Sequence, residues 1–103
     1  MLISASDFVA LIRAKPRQFK FTRHALERAE KRVMSSKVCE EELLSREPQG
    51  VLEQQTRISG ERKFRVYYKQ DDDKFHCYIV VLNKAIRVIT MMRISKELQV
   101  RWR

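Results

Sequence analysis

Glycine, proline and cysteine are scarce in this chain, with two of each among 103 residues. So little glycine and proline excludes collagen-like, low-complexity and linker-rich architectures. Two cysteines far apart in sequence, Cys39 and Cys77, are too few for a disulfide-stapled secreted scaffold. They are expected to be reduced and mostly buried thiols. No Cys-x-x-Cys pair and no Cys/His ligand spacing occurs, so a zinc site is not expected, and nothing calls for a cofactor. Asp71, Asp72 and Asp73 read as a solvated turn rather than the carboxylate cluster of a two-metal nuclease. Long hydrophobic runs are missing too, since nothing approaches the roughly 20 residues that span a bilayer. The apolar stretch Met1–Ala14 is broken by Asp7 and has no leading basic region, unlike a secretory leader. A cytoplasmic protein without membrane association is expected.

What the chain has in quantity is positive charge. Lys and Arg number 22 against 13 Asp and Glu, a formal charge of +9, while 44% of residues are hydrophobic. That much apolar content builds a core, so this is not a disordered basic tail. The length fits a single domain over residues 1–103.

The N-terminal half has helical periodicity. Ser4 or Ser6 can cap a short helix whose Phe8, Leu11 and Ile12 share a face, and Pro16 ends it. Gln18–Phe21 reads as extended. Thr22 is an N-cap for a second helix over about 23–33, with Ala25, Leu26, Ala29 and Val33 on its apolar side. Ser35 or Ser36 caps a third helix to about Arg46, with Val38, Cys39 and Leu43 inward.

Beyond Pro48 and Gly50 the period becomes alternating. Val51–Ile58 reads as a strand turning at Ser59-Gly60-Glu61. In Arg62–Lys69, Phe64, Val66 and Tyr68 point one way and Lys63, Arg65, Tyr67 and Lys69 the other. Phe75–Leu82, apolar on both faces, suits a central strand, and Ala85–Arg93 forms the last one. Ser95–Arg103 suggests a short basic tail helix. The expected fold is α+β, with N-terminal helices packed on a four-stranded antiparallel sheet.

Two surfaces stand out. His24, Arg28 and Arg32, spaced i, i+4, i+8, form one stripe in which the arginines repel each other and a phosphate would neutralise them. The plainer alternative pairs them with Glu40, Glu41 or Glu42. His24 sits in a first helical turn, where the dipole favours a neutral imidazole; its plainer role is a hydrogen bond locking helix to sheet. On the sheet, Lys63, Arg65, Tyr67 and Lys69 share a face. A regular hairpin would add His76 and Tyr78, with Tyr67 close to His76, and the last strand would add Arg87 and Arg93 on a common face. Cations interleaved with aromatics suit single-stranded RNA, although tyrosines packing across an ordinary charged exterior would look similar. Metal-free RNA cleavage needs a base, a cation and an acid; His24, His76 and Tyr67 are residues of those acid–base types. Ile89 and Met91 are candidates for a homodimer or partner interface, or equally for the core.

The run from Phe21 to Ser35 resembles a family of small prokaryotic domains of unknown function. Its signature is T-x-H-A-x-x-R-x-x-x-R, followed after one residue by an apolar residue and serine. Here Thr22, His24, Ala25, Arg28, Arg32, Met34 and Ser35 supply the pattern, and Val33 replaces the usual glycine. Ile89-Thr90-Met91 matches the family's closing strand, so the resemblance covers about residues 18–93. That family looks like an outlying relative of the RelE/ParE toxins. The resemblance implies a RelE/ParE-like fold and a type II toxin–antitoxin role with an acidic antitoxin as partner. It also implies either metal-independent cleavage of messenger RNA, often on the ribosome, or inhibition of DNA gyrase. Trp102 stands where such toxins more usually carry a tyrosine. The function expected is a metal-independent ribonuclease with His24, His76 and Tyr67 in catalytic roles. Arg28, Arg32, Lys63, Arg65, Arg87 and Arg93 would hold RNA phosphates. A non-catalytic RNA- or ribosome-binding module, or a protein-interaction domain, is the alternative.

Overall fold

The computed structural model describes residues 1–14, 16–32 and 34–95. In chain order the elements are β1 (Leu2–Ile3), α1 (Ala5–Arg13), β2 (Phe19–Phe21), α2 (Arg23–Lys31), α3 (Ser36–Ser45), β3 (Gly50–Gln54), β4 (Arg62–Lys69), β5 (Lys74–Leu82) and β6 (Ile86–Ser95). The expected tail helix falls almost entirely outside the described residues, as does Trp102.

The three helices begin at the expected polar caps. Ser4 accepts from the Asp7 N–H, Thr22 from Ala25, and Ser35 from both Lys37 and Val38, each satisfying amides that the first helical turn leaves unpaired. Helix α2 stops at Lys31, short of the expected bound, with Arg32 as its C-cap.

The sheet is six-stranded and mixed, in the order β1-β3-β4-β5-β6-β2, which corrects the expectation of four antiparallel strands. The meander β3-β4-β5-β6 is antiparallel as expected. To it are added β1, antiparallel to β3, and β2, parallel to β6 with Phe21 beside Val88. Strand β3 ends at Gln54 rather than Ile58. The chain then turns through Gly60, whose φ of 83° lies in the left-handed region that glycine tolerates.

All three helices contribute to one core on one face of the sheet: Phe8 and Ile12 of α1, Ala25 and Ala29 of α2, Cys39 and Leu43 of α3. They meet Phe64, Val66 and Tyr68 of β4, Tyr78 and Val80 of β5, and Val88 and Met91 of β6. Phe8 meets Phe64 edge-on with ring centroids 5.3 Å apart. Val38, expected inside, is 39% exposed, and Met91 belongs to the core rather than to an interface.

Strand β6 carries a bulge. Val88 pairs with Val80 but Thr90 pairs with Ile79, so Ile89 is an extra residue on one side of the ladder. An inserted residue reverses the inward–outward parity of everything after it. Arg87 therefore lies on one face of the sheet and Arg93 on the other, which corrects their expected common face. Thr22 holds the irregular strand in place: its N–H donates to the Val88 carbonyl at 3.0 Å and its hydroxyl to the Ile89 carbonyl at 3.2 Å.

Candidate functional site

The site grows from a polar residue in an apolar stripe. Cys39 and Leu43 point α3 at the sheet, and Glu42 lies between them on the same face, only 4% exposed. A carboxylate so placed is tolerable only if its lone pairs are satisfied. Four donors do this. His76 Nδ1 donates to Oε1 at 2.7 Å and the Tyr78 hydroxyl to the same oxygen at 2.5 Å. Arg46 Nη1 and Gln70 Nε2 donate to Oε2 at 2.8 and 2.7 Å. Burial pushes the Glu42 carboxyl up, but the bonds from His76, Tyr78 and Gln70 outweigh it and hold it below its ordinary value.

An ionised carboxylate only accepts, so Nδ1 of His76 must carry a proton. Nε2 is then the ring nitrogen that gains or loses one, whatever the charge on the imidazole. Nε2 makes no hydrogen bond among the described residues, and the side chain is 13% exposed. Across the β4–β5 and β5–β6 ladders, His76 stands opposite Tyr68 and Arg93. Arg93 is exposed, so the bulge brings a guanidinium to the histidine's face.

This register corrects the expected basic face. Tyr67 pairs with Cys77, and His76 and Tyr78 lie on the helix side with Val66 and Tyr68. Tyr67 is on the opposite face and cannot work with His76. Its phenol is raised by burial and by Cys77, with Arg65 opposing, which keeps it protonated at neutral pH. Lys63 and Arg65 share that opposite face, opposite Val81 and Ile79. The Arg65 Nε is buried without a hydrogen-bond partner.

The second histidine lies elsewhere. His24 and Arg28 are exposed on α2, and no hydrogen bond or ion pair joins either to His76. Arg32 donates to the Met91 carbonyl at 2.9 Å; neither it nor Arg28 pairs with Glu40, Glu41 or Glu42, contrary to the plainer alternative. In the Thr22–Arg32 motif, Thr22, Ala25, Ala29 and Arg32 hold α2 to the sheet, leaving His24 and Arg28 unused by the fold. Arg87 makes an ion pair with Glu61 at 3.7 Å.

The Tyr68 phenol and both thiols are chemically quiet. Burial raises the Tyr68 phenol far above its usual range, and its hydroxyl has no partner. The thiols are buried as expected: burial pushes Cys39 up strongly and Cys77 to about 12, so neither is a nucleophile at neutral pH. No group of His, Cys, Asp and Glu among the described residues is arranged to hold a metal ion. None of their helices is long and apolar enough to cross a membrane.

From sequence, Glu42 is named only as one of three possible partners for Arg28 and Arg32, not as the partner of His76. Its signal was present: a single acid at the i+3 position of the Cys39–Leu43 stripe, where burial demands a partner. Comparison with protein-family models, curated proteins and solved structures found no match to this chain.

Proposed function

We propose that this chain engages RNA and cleaves it without a metal, as a toxin of a type II toxin–antitoxin pair, with His76 as the acid–base group. The observation that carries the reading is the Glu42–His76 pair. A buried carboxylate fixes the imidazole by Nδ1 and leaves Nε2 without a hydrogen bond among the described residues, on a side chain that is 13% exposed, with Arg93 paired to it on the adjacent strand. Carboxylate orientation of a histidine is how proton-transfer sites fix tautomer and aim.

The reaction follows from these parts. Nε2 takes the proton of a ribose 2′-hydroxyl, and the oxygen attacks the adjacent phosphorus. The bond from phosphorus to the 5′-oxygen breaks, giving a 2′,3′-cyclic phosphate and a 5′-hydroxyl end. Arg93 offsets the charge that builds on the phosphoryl oxygens. Water protonates the leaving oxygen, because His24 is not at this site. Glu42 is a positioning residue, and the proton on Nε2 passes to solvent. The +9 charge supports attraction to phosphates and, in the resting complex, to an acidic antitoxin.

The test is incubation of the protein with end-labelled single-stranded RNA in EDTA. Fragments ending in cyclic phosphate are expected, lost in His76→Ala and retained in His24→Ala, with gel-shift binding preserved in both. Intact RNA, on naked strands and on ribosomes alike, would overturn the ribonuclease reading; RNA binding without cleavage would identify a non-catalytic module.

A further inference from the structure

The end of the sheet away from His76 holds a groove of about 740 Å³, within the range of small-ligand sites. Along β5 it is separated from His76 by the stretch to Leu82, about 20 Å at strand rise. Arg17, Lys20, Arg62, Lys84 and Arg87 line it with a single carboxylate, Glu61.

The charges do not cancel. Arg62 is committed to Glu53 through two bonds of 2.8 Å. Arg17 is held by two neutral acceptors, the carbonyls of Asn83 at 3.1 Å and Leu11 at 2.7 Å, which fix its guanidinium without neutralising it. Lys20 and Lys84 have no ion pair among the described residues. Glu61 is shared between Arg87 at 3.7 Å and the Asn83 amide at 3.1 Å. Four cations thus face one carboxylate. Lys20 and Arg87 are direct neighbours across the β2–β6 ladder, an arrangement that costs stability unless an anion lies between them.

We infer that this groove is an anion site for a phosphate group carried on a nucleotide, separate from the His76 site. The cationic part matches a phosphate mono- or diester, which accepts several charge-assisted hydrogen bonds at once. Of the remaining lining, Leu11, Leu82, Ala85 and Ile58, which is 58% exposed, are apolar, the Asn83 side chain is taken up by Glu61 and the Ala85 N–H, and Ser59 adds one hydroxyl. This lining offers a nucleoside apolar contact but no aromatic ring for stacking. The site therefore reads phosphate and not base identity, and adenosine and cytidine monophosphates bind alike. The same phosphate chemistry comes from a free nucleotide or from the backbone of an RNA strand.

The experiment follows amide signals of the full chain by NMR during titration with inorganic phosphate, adenosine 5′-monophosphate, cytidine 5′-monophosphate and a six-nucleotide RNA. Shifts centred on Lys20, Lys84 and Arg87 are expected, unchanged in His76→Ala even if that variant and the wild type prove catalytically silent. The double variant Lys20→Gln/Lys84→Gln, both residues exposed, should weaken binding roughly tenfold or more, from loss of charge-assisted bonds. Lys31→Gln/Lys37→Gln, with equal net charge, should keep it. Tighter binding of the monophosphates than of the RNA assigns the groove to free nucleotides, and the reverse order to a strand. Equal weakening in both double variants, shifts spread over the whole surface, or no saturable binding would overturn the site.

Discussion

Replacing Glu42 by Gln changes one atom's chemistry and none of its shape, and so isolates what the carboxylate does. An amide offers one acceptor oxygen and one donor NH₂ in place of two acceptor oxygens. Arg46 is a donor in every state, and the Gln70 amide is held as a donor by the Tyr68 carbonyl at 3.1 Å. The new oxygen must therefore face those two, and the NH₂ must face His76 and Tyr78. The Tyr78 hydroxyl can rotate and accept. His76 can accept only by losing the proton from Nδ1 and carrying it on Nε2, the reverse of the wild-type tautomer. Weakening charge-assisted bonds to neutral ones costs about 2 kcal/mol, or roughly 10 °C of melting temperature in a domain this small. A proton already on Nε2 blocks its use as a base, and cleavage should fall by about 10²- to 10⁴-fold. Long-range ¹⁵N–¹H correlation of the neutral His76 ring reads the tautomer directly. The Nδ1–H form in both proteins would refute the reasoning, whatever the activity. Glu42→Ala, which strands four donors, should cost more, about 3–5 kcal/mol.

Three further outcomes follow from the same structure. The Tyr68 hydroxyl is fully buried and unpartnered, so Tyr68→Phe should stabilise the fold by about 1 kcal/mol in urea unfolding; destabilisation would show that the hydroxyl has a partner. Thr22→Val removes both the α2 cap and the bond to the Ile89 carbonyl; a loss of about 1–2 kcal/mol is expected, with amide exchange accelerated at the β6 bulge, and unchanged exchange there would sink the clamp. The Glu42 carboxyl titrates below its ordinary value when folded, so its contribution is complete above the unfolded-state pKa near 4.3 and is lost as pH falls through the folded value. The stability gap between wild type and Glu42→Gln should therefore narrow on acidification, and a gap that widens would contradict the assignment.

Local chemistry was readable where a single residue decides the outcome. Thr22 and Ser35 announced helix starts because their hydroxyls replace missing acceptors, and strand β4 showed its two faces by alternation. The failures are non-local. Pairing Tyr67 with His76 instead of Cys77 with Tyr67 is a one-residue slip, and in a ladder of period two it moves every side chain to the wrong face. Residues at the hairpin Gln70–Asp73 do not announce that register, since Gln70 and Asp71 both donate to the Lys74 carbonyl. The bulge at Ile89 is similarly silent, because isoleucine suits any strand. Its placement depends on Thr22, 67 residues earlier. Two- and three-residue strands such as β1 and β2 carry no pattern, and only the completed sheet draws them in.

Those two short strands have a consequence for how the chain survives its own synthesis. They occupy the two outer margins of the sheet, β1 on Val51 and Leu52 of β3 and β2 on Ile86–Val88 of β6, and so cover part of each flank on which another copy could add. Both lie in the first 21 residues, so they leave the ribosome before any strand they must cover. Strands β3 and β6 therefore emerge with the segment that pairs with each already made, and self-association at those margins has less time to compete. A circular permutant that moves residues 1–21 to the other end would keep the strand pairings of the finished protein, give up the bond from the Met1 ammonium to the Glu53 carbonyl, and reverse that order. It should fold to the same structure in dilute solution and aggregate more readily when produced in cells.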